Sequence, residues 1–431
     1  MVTTLGRAPA RLGARDDLPV PGSRDDLIDR LAALPAARPL LERLRETDGV
    51  YVVGGAVRDL LREEAPRDLD LIVDGELEPV SLGLGAPERA HDRFDTATIV
   101  LGDATYDLAR ARRETYAHPG ALPTVSPAPI DEDLGRRDFT VNALALGLGG
   151  ADRGRLLAVP GALEDLDAGR LRVLHDASFE DDPTRLLRLA RYAARLGFTV
   201  EPHTRELARA AVAAGALDTV SGPRVGAELR LLAAEPDPVG AFMALDALGV
   251  DAAVAPGFGL AGVADGSTAR RALQLLPSDG DRGDLVLAVA ARRVDRSRRP
   301  ELLDRLAFPA ARRDVILAAA ERAPELARAL EDARRPSGIA AAVGSAPVEA
   351  VALAGALEPA AETAARRWLT ELRHVRLAID GDDLIAAGVA QGPAIGAGLA
   401  AARLAKLDGR AAGRDAELAE ALRAAAGANG Q

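Results

Sequence analysis

Hydrophobic positions at helical spacing open the readable part of the chain. Leu27, Leu31 and Leu34, then Leu40, Leu41 and Leu44, predict a helix over residues 25–46 around Pro35 and Pro39. Short apolar runs then predict strands at Val50–Val53, 69–73, 98–101 and 105–108. Beyond about residue 160 the pattern becomes almost wholly helical. The first 24 residues, rich in Pro, Gly and Arg, show no periodicity and read as a loose tail. Breaks fall near Gly149-Gly150, Ser221-Gly222-Pro223, residues 256–266 and Pro336-Ser337-Gly338. The outline is an α+β arrangement, with a small mixed domain in front of a long helical body.

Composition narrows the class. At 431 residues and 48% hydrophobic, the chain holds core for several domains. It lacks Cys, so disulfides and Cys-based metal sites are excluded. A net charge of −11 argues against a generic nucleic-acid coat, yet local Arg clusters still supply phosphate contacts. Apolar runs are broken by Arg or Asp and too short to span a bilayer, and no cleavable signal pattern opens the chain. A soluble, cytoplasmic protein with no membrane partner and no obligate protein partner is expected.

Three constellations carry chemistry. In the first, Val52-Val53 run into Gly54-Gly55, and a helical pattern containing Arg58 follows. A strand, two Gly and a helix start let a phosphate approach the backbone, with Arg58 as a clamp. On the next strand Asp68 and Asp70 stand two apart, so both are expected on one face, with Leu69, Leu71 and Val73 on the core side. Two carboxylates ~7 Å apart along a strand suit a two-metal site, and Asp107 is the candidate third acid. Each piece alone also fits simple packing or a solvated edge; their proximity favours the site. In the second constellation, Arg136-Arg137-Asp138-Phe139-Thr140-Val141-Asn142, Asp138 or Thr140 caps a helix. The functional reading sets Arg137 against a triphosphate and Asp138 against ribose hydroxyls. The third runs from Glu180 to Arg191. Asp182 with Pro183 suits a helix start, and Arg185, Arg188, Arg191 and Arg195 form a basic stripe. That stripe reads as a solvated face. Asp182 and Arg185 also offer an acceptor and a donor fork to a nucleobase edge.

Together these segments resemble class II tRNA nucleotidyltransferases, the CCA-adding enzymes, and the related bacterial poly(A) polymerases. The resemblance rests on YVVGGAVRDLL, RDLDLIV, HDRFDTATI, YDLARARRETY, RRDFTVNALAL and PGALEDLDAGRLRVLHDASFEDDPTRLLRLARYAARLGF, in the family's order over residues 48–200. It implies a polymerase-β-like nucleotidyltransferase head with a small mixed sheet, followed by an all-helical neck, body and tail. The expected bounds are 1–46 for an N-terminal extension, 47–158 head, 159–222 neck, 223–335 body and 336–431 an RNA-binding tail. It further implies Asp68 and Asp70 as carboxylates for two Mg²⁺ ions, with Asp107 beside them in the catalytic set. Gly54, Gly55 and Arg58 are implied as triphosphate contacts, and Arg137, Asp138 and Asn142 as ribose and phosphate contacts. Asp182 and Arg185 match the pair that reads CTP or ATP, with Arg188 beyond them.

Two departures stand out. Asp181 occupies the place of the family's usual Glu. The Gly/Pro-rich stretch between Asp74 and His91 looks too short for the helix that relatives carry there. The implied activity is template-independent addition of CCA, or part of it, to the 3′ end of tRNA. Poly(A) synthesis and a catalytically inactive RNA-binding homologue are the alternatives. Arg224, Arg230 and the Arg residues of 366–376 are candidate RNA-backbone contacts. The Gly392-Pro393 turn either presents N–H groups to a phosphate or simply packs two helices.

Overall fold

The computed structural model describes residues 24–85, 89–91 and 95–428. The loose-tail reading of the first residues, and residues 92–94 of one family motif, fall outside these. The described chain forms two compact units, Met1–Ser221 and Gly222–Gln431.

The predicted first helix is two helices, α1 (Arg24–Ala32) and α2 (Arg38–Arg43). Pro35 lies in the break and Pro39 in the first turn of α2, where a missing N–H costs nothing. Nor is this segment an extension apart from the head. Leu27, Ile28, Leu31, Leu40, Leu41 and Leu44 are buried in the same core as the sheet.

The chain then runs β1 (Val50–Val53), α3 (Gly55–Leu61), β2 (Asp70–Val73), α4 (Leu77–Leu84), β3 (Arg89–His91), β4 (Thr96–Leu101) and β5 (Ala104–Arg110). A hairpin of β6 (Arg112–Thr115) and β7 (Thr124–Pro127) follows, then α5 (Ile130–Gly135), β8 (Leu144–Gly147) and β9 (Leu156–Ala158). The seven-stranded sheet has the order β3-β4-β5-β2-β1-β8-β9. Only β2 and β5 pair in parallel; every other neighbour is antiparallel. β1 is central and buried on both faces, which explains its unbroken apolar run. α4 corrects the expectation that the stretch after Asp74 carries no helix. Its Pro79 sits in the first turn, so the ring breaks no intrahelical bond.

After the sheet come α6 (Ala162–Asp167), β10 (Arg170–Leu171), α7 (Ser178–Asp181) and α8 (Thr184–Leu196). α8 ends on Gly197 in the left-handed conformation, φ 66°. Unit 2 is wholly helical among the described residues. Its core includes the continuous apolar run of helix Arg282–Ala291 and the Ala-rich helix Val348–Leu357, each with eight or more buried positions. Near the C-terminus, Leu384, Ala402 and Ala421 form a separate small core. No single helix among the described residues is long and apolar enough to cross a membrane.

Candidate functional site

A cavity of about 360 Å³ opens in unit 1 where the Gly-Gly turn, the ends of β2 and β6, and α8 converge. Gly54 forms its first wall. It follows central β1, adopts φ 68°, and donates its N–H to the Leu144 carbonyl at 2.9 Å. The positive φ favours Gly, and a Cβ there would stand 2.9 Å from the Arg137 guanidinium and displace its tip. Gly55 begins α3 and also lines the cavity.

Asp70, the first residue of β2, lies on the floor and is exposed. Its register partner across the parallel pair is Asp107 of β5, also exposed, whose Oδ1 accepts from Thr98 Oγ1 at 2.9 Å. Asp68 is exposed too, but it precedes the strand rather than forming part of it. Asp70 faces solvent, yet enough protein surrounds its carboxyl to push it up by desolvation. Arg137 pulls it down, while the charges of Asp107 and Asp68 push it further up. The three acids therefore share one electrostatic neighbourhood. Among the described residues no three His, Asp or Glu converge into a ready metal cage. The sparse acid set fits Mg²⁺, which takes few carboxylates and fills its shell with substrate phosphates and water.

The opposite wall is cationic. Arg137 lines the cavity and gives Nη2 to Asp133 at 3.1 Å, while its buried Nε has no partner. Asp138 is 8% exposed and accepts four bonds. Oδ1 takes the Phe139 N–H at 2.8 Å and Asn142 Nδ2 at 3.0 Å; Oδ2 takes Arg188 Nε at 2.9 Å and Nη2 at 2.7 Å. Burial alone would raise this carboxyl, but Arg188, Asn142 and Arg185 hold it down to about 2. Asp138 thus fixes Arg188 beside the cavity. Asn142 in turn accepts from Arg58 Nη1 at 2.5 Å.

Arg58 is a correction. It is 1% exposed, lies beneath the Gly-Gly turn, does not line the cavity, and gives Nε and Nη2 to Asp59 at 2.9 and 2.7 Å. It braces Asn142 instead of facing a triphosphate. The basic stripe of α8 is corrected as well: Arg185 and Arg191 are buried, and Arg188 is largely so. Their guanidinium groups point into the protein, and those of Arg58, Arg188 and Arg191 surround the Tyr192 ring at 5.7, 5.6 and 4.9 Å.

Asp182 and Arg185 both line the cavity. Asp182 Oδ1 accepts the Thr184 N–H at 3.1 Å, but Pro183 and not Asp182 stands at the N-cap of α8, one residue later than the sequence position suggests. Asp181 does not reach the cavity; its carboxylate lies 3.8 Å from His175 Nε2. Burial and Arg185 hold His175 below its ordinary range.

Sequence reading missed Glu114, Tyr116 and Tyr192. Glu114 accepts from Arg112, from Arg136 at 2.8 Å and from the Tyr116 hydroxyl at 2.9 Å. Burial and this carboxylate push the Tyr116 phenol up. Residues 112–115, Arg-Arg-Glu-Thr, are polar throughout and carry no apolar signal for a strand.

In unit 2, several candidate RNA contacts have internal partners. Arg230 donates to the Leu306 and Ala307 carbonyls, Arg373 pairs with Asp279 at 2.7 Å, and Arg366 pairs with Glu362 at 2.8 Å. Gly392 precedes helix Pro393–Leu407, and the Ile395 N–H already bonds the Gly392 carbonyl at 3.1 Å.

A glycine turn after a central strand, neighbouring carboxylates on adjacent strands and an Arg-lined wall together define a nucleotidyltransferase head. Comparison with known proteins agrees. The Poly A polymerase head domain family matches residues 50–172. An A-adding tRNA nucleotidyltransferase of Geobacter sulfurreducens is 43% identical over 47% of this chain, which spans only 23% of that relative's length. A CC-adding tRNA nucleotidyltransferase of Deinococcus radiodurans is 37% identical over 88% of this chain and 90% of its own length. The solved Thermotoga maritima CCA-adding enzyme complexed with tRNA-CCA matches at TM-score 0.76 and 30% identity, covering 93% of this chain and 97% of that one. The chain belongs to the tRNA nucleotidyltransferase family.

Proposed function

We propose that the protein is a template-independent RNA 3′-end nucleotidyltransferase that adds CCA, or part of it, to tRNA from CTP and ATP in the cytoplasm. The observation that carries this is the convergence of Gly54, Asp70, Arg137, Asp182 and Arg185 on one cavity, with Asp107 beside Asp70. Gly54 and Gly55 leave room for a triphosphate against the backbone, and Arg137 supplies positive charge there. Cytosine and adenine each present an amine donor beside a ring-nitrogen acceptor; uracil and guanine present the reverse. A carboxylate and a guanidinium match the first pattern. The RNA 3′-oxygen attacks the α-phosphorus, the bond to the bridging oxygen breaks, and pyrophosphate leaves. The hydroxyl proton departs toward the carboxylates of Asp70 and Asp107. Asp68 and Asp70, with Asp107 beside them, would hold Mg²⁺, which when bound neutralises phosphate charge and makes the 3′-hydroxyl more acidic.

A CC-only product is the second reading. It is favoured by the Deinococcus CC-adding relative, 37% identical over 88% of this chain, whereas the Geobacter A-adding relative matches about half of this chain. The test supplies single labelled nucleotides with tRNAs ending before CCA, after the first C and after CC. Full activity extends all three. A CC-adding enzyme leaves the last unextended, and a poly(A) polymerase lengthens any end with A alone. Tight tRNA binding without incorporation would mark an inactive homologue and overturn the proposal.

A further inference from the structure

Two buried hydroxyls outside the cavity lining hold the Asp182–Arg185 pair. Ser178, fully buried at the start of α7, receives Arg185 Nη1 on its Oγ at 2.6 Å. The other amino group, Nη2, donates to the Arg136 carbonyl at 2.7 Å. Both acceptors are neutral, so the guanidinium is fixed in its plane without losing its charge to a carboxylate. Arg carries five N–H donors, so donors remain for a ligand. On the other member of the pair, Thr184 Oγ1 donates to Asp182 Oδ1 at 2.6 Å, and the Thr184 N–H reaches the same oxygen. One oxygen held twice sets the rotation of the whole carboxylate.

We propose that Ser178 and Thr184 are positioning residues that set base selectivity by orienting Arg185 and Asp182. This rests on the reading that the pair recognises the incoming base. Selectivity between nucleotides that differ only in the placement of donors and acceptors needs fixed angles, because a misaligned hydrogen bond weakens steeply. Removing either hydroxyl leaves the charges in place but frees their direction. The loss therefore falls on the ratio between nucleotides and not on triphosphate binding.

The test compares the full chain with Ser178→Ala, Thr184→Val and Thr184→Ser. It measures kcat/KM for CTP and UTP on a tRNA lacking CCA and for ATP and GTP on a tRNA ending in CC, equilibrium binding of each nucleotide and of pyrophosphate, and the melting temperature. Ser178→Ala and Thr184→Val are expected to lower the preference for CTP and ATP over UTP and GTP by roughly ten-fold, the scale of one hydrogen bond to a charged group. Pyrophosphate affinity should hold, the melting temperature should fall by no more than several degrees, and Thr184→Ser should restore the preference. Wild-type selectivity in both folded variants, or an equal loss for all four nucleotides, overturns the positioning role. A wild-type chain that binds all four bases alike overturns the base-reading premise itself.

Discussion

Asp138→Asn is the most quantitative perturbation of the cavity wall. The carboxylate is buried and accepts four bonds, two of them from Arg188. Its fall from an ordinary 3.8 to about 2 corresponds to about 2 kcal/mol of stability. Because the folded value is depressed, that contribution is complete above about pH 4 and is lost as the pH falls toward 2. The amide retains the bonds to Phe139 and Asn142 but turns a donor toward Arg188. Breaking a buried pair costs about 3–5 kcal/mol. Arg188 keeps 29% of its side chain in solvent, which returns part of this. We expect a net loss of about 2–3 kcal/mol, and a melting temperature for unit 1 lower by about 5–10 °C at pH 7. Calorimetry at pH 7 and through the acid range measures both quantities. The gap between wild type and variant should narrow as the pH drops from 4 toward 2. Equal melting at pH 7, or a gap that widens in acid, would refute the reasoning.

Three further outcomes are expected. Gly54→Ala forces a left-handed residue at about 1–2 kcal/mol and drives a methyl into Arg137, so KM for the nucleoside triphosphate should rise roughly ten-fold while circular dichroism is unchanged. Arg58→Met strands Asp59 in the core and should cost about 3–5 kcal/mol in denaturant unfolding, with activity failing through instability and not through KM alone. Stripping divalent cations with a chelator should abolish incorporation and leave the melting temperature unchanged, with activity returning on added Mg²⁺.

The strands that position the site were legible because they are short apolar runs punctuated by Gly or Asp: Val50–Val53 ends at Gly54, and β2 begins at Asp70. Motif spacing also located the Asp138 and Asp182 segments. What the sequence hid was burial. Arg58 and Arg191 look like any surface arginine until the fold surrounds them, and a periodic stripe of Arg on α8 reads as solvated although its Arg188 and Arg191 lie over the Tyr192 ring. The hairpin that brings Glu114 and Tyr116 to the cavity alternates polar with polar, so it lacks the apolar contrast that marks a half-buried strand. The break between α1 and α2 was written in Pro35, but the leucines on either side keep helical spacing across it and mask the interruption.

The central claim is that Asp70 and its neighbours form the centre of nucleotidyl transfer. Asp70→Asn removes one charge from three mutually repelling acids, and Asp70 is exposed, so the fold should be kept or slightly strengthened. Incorporation of labelled CTP into tRNA lacking its 3′ CCA, measured beside a melting curve, is the direct assay. The account predicts intact melting with no labelled product. A variant that melts normally and extends tRNA at the wild-type rate would contradict it.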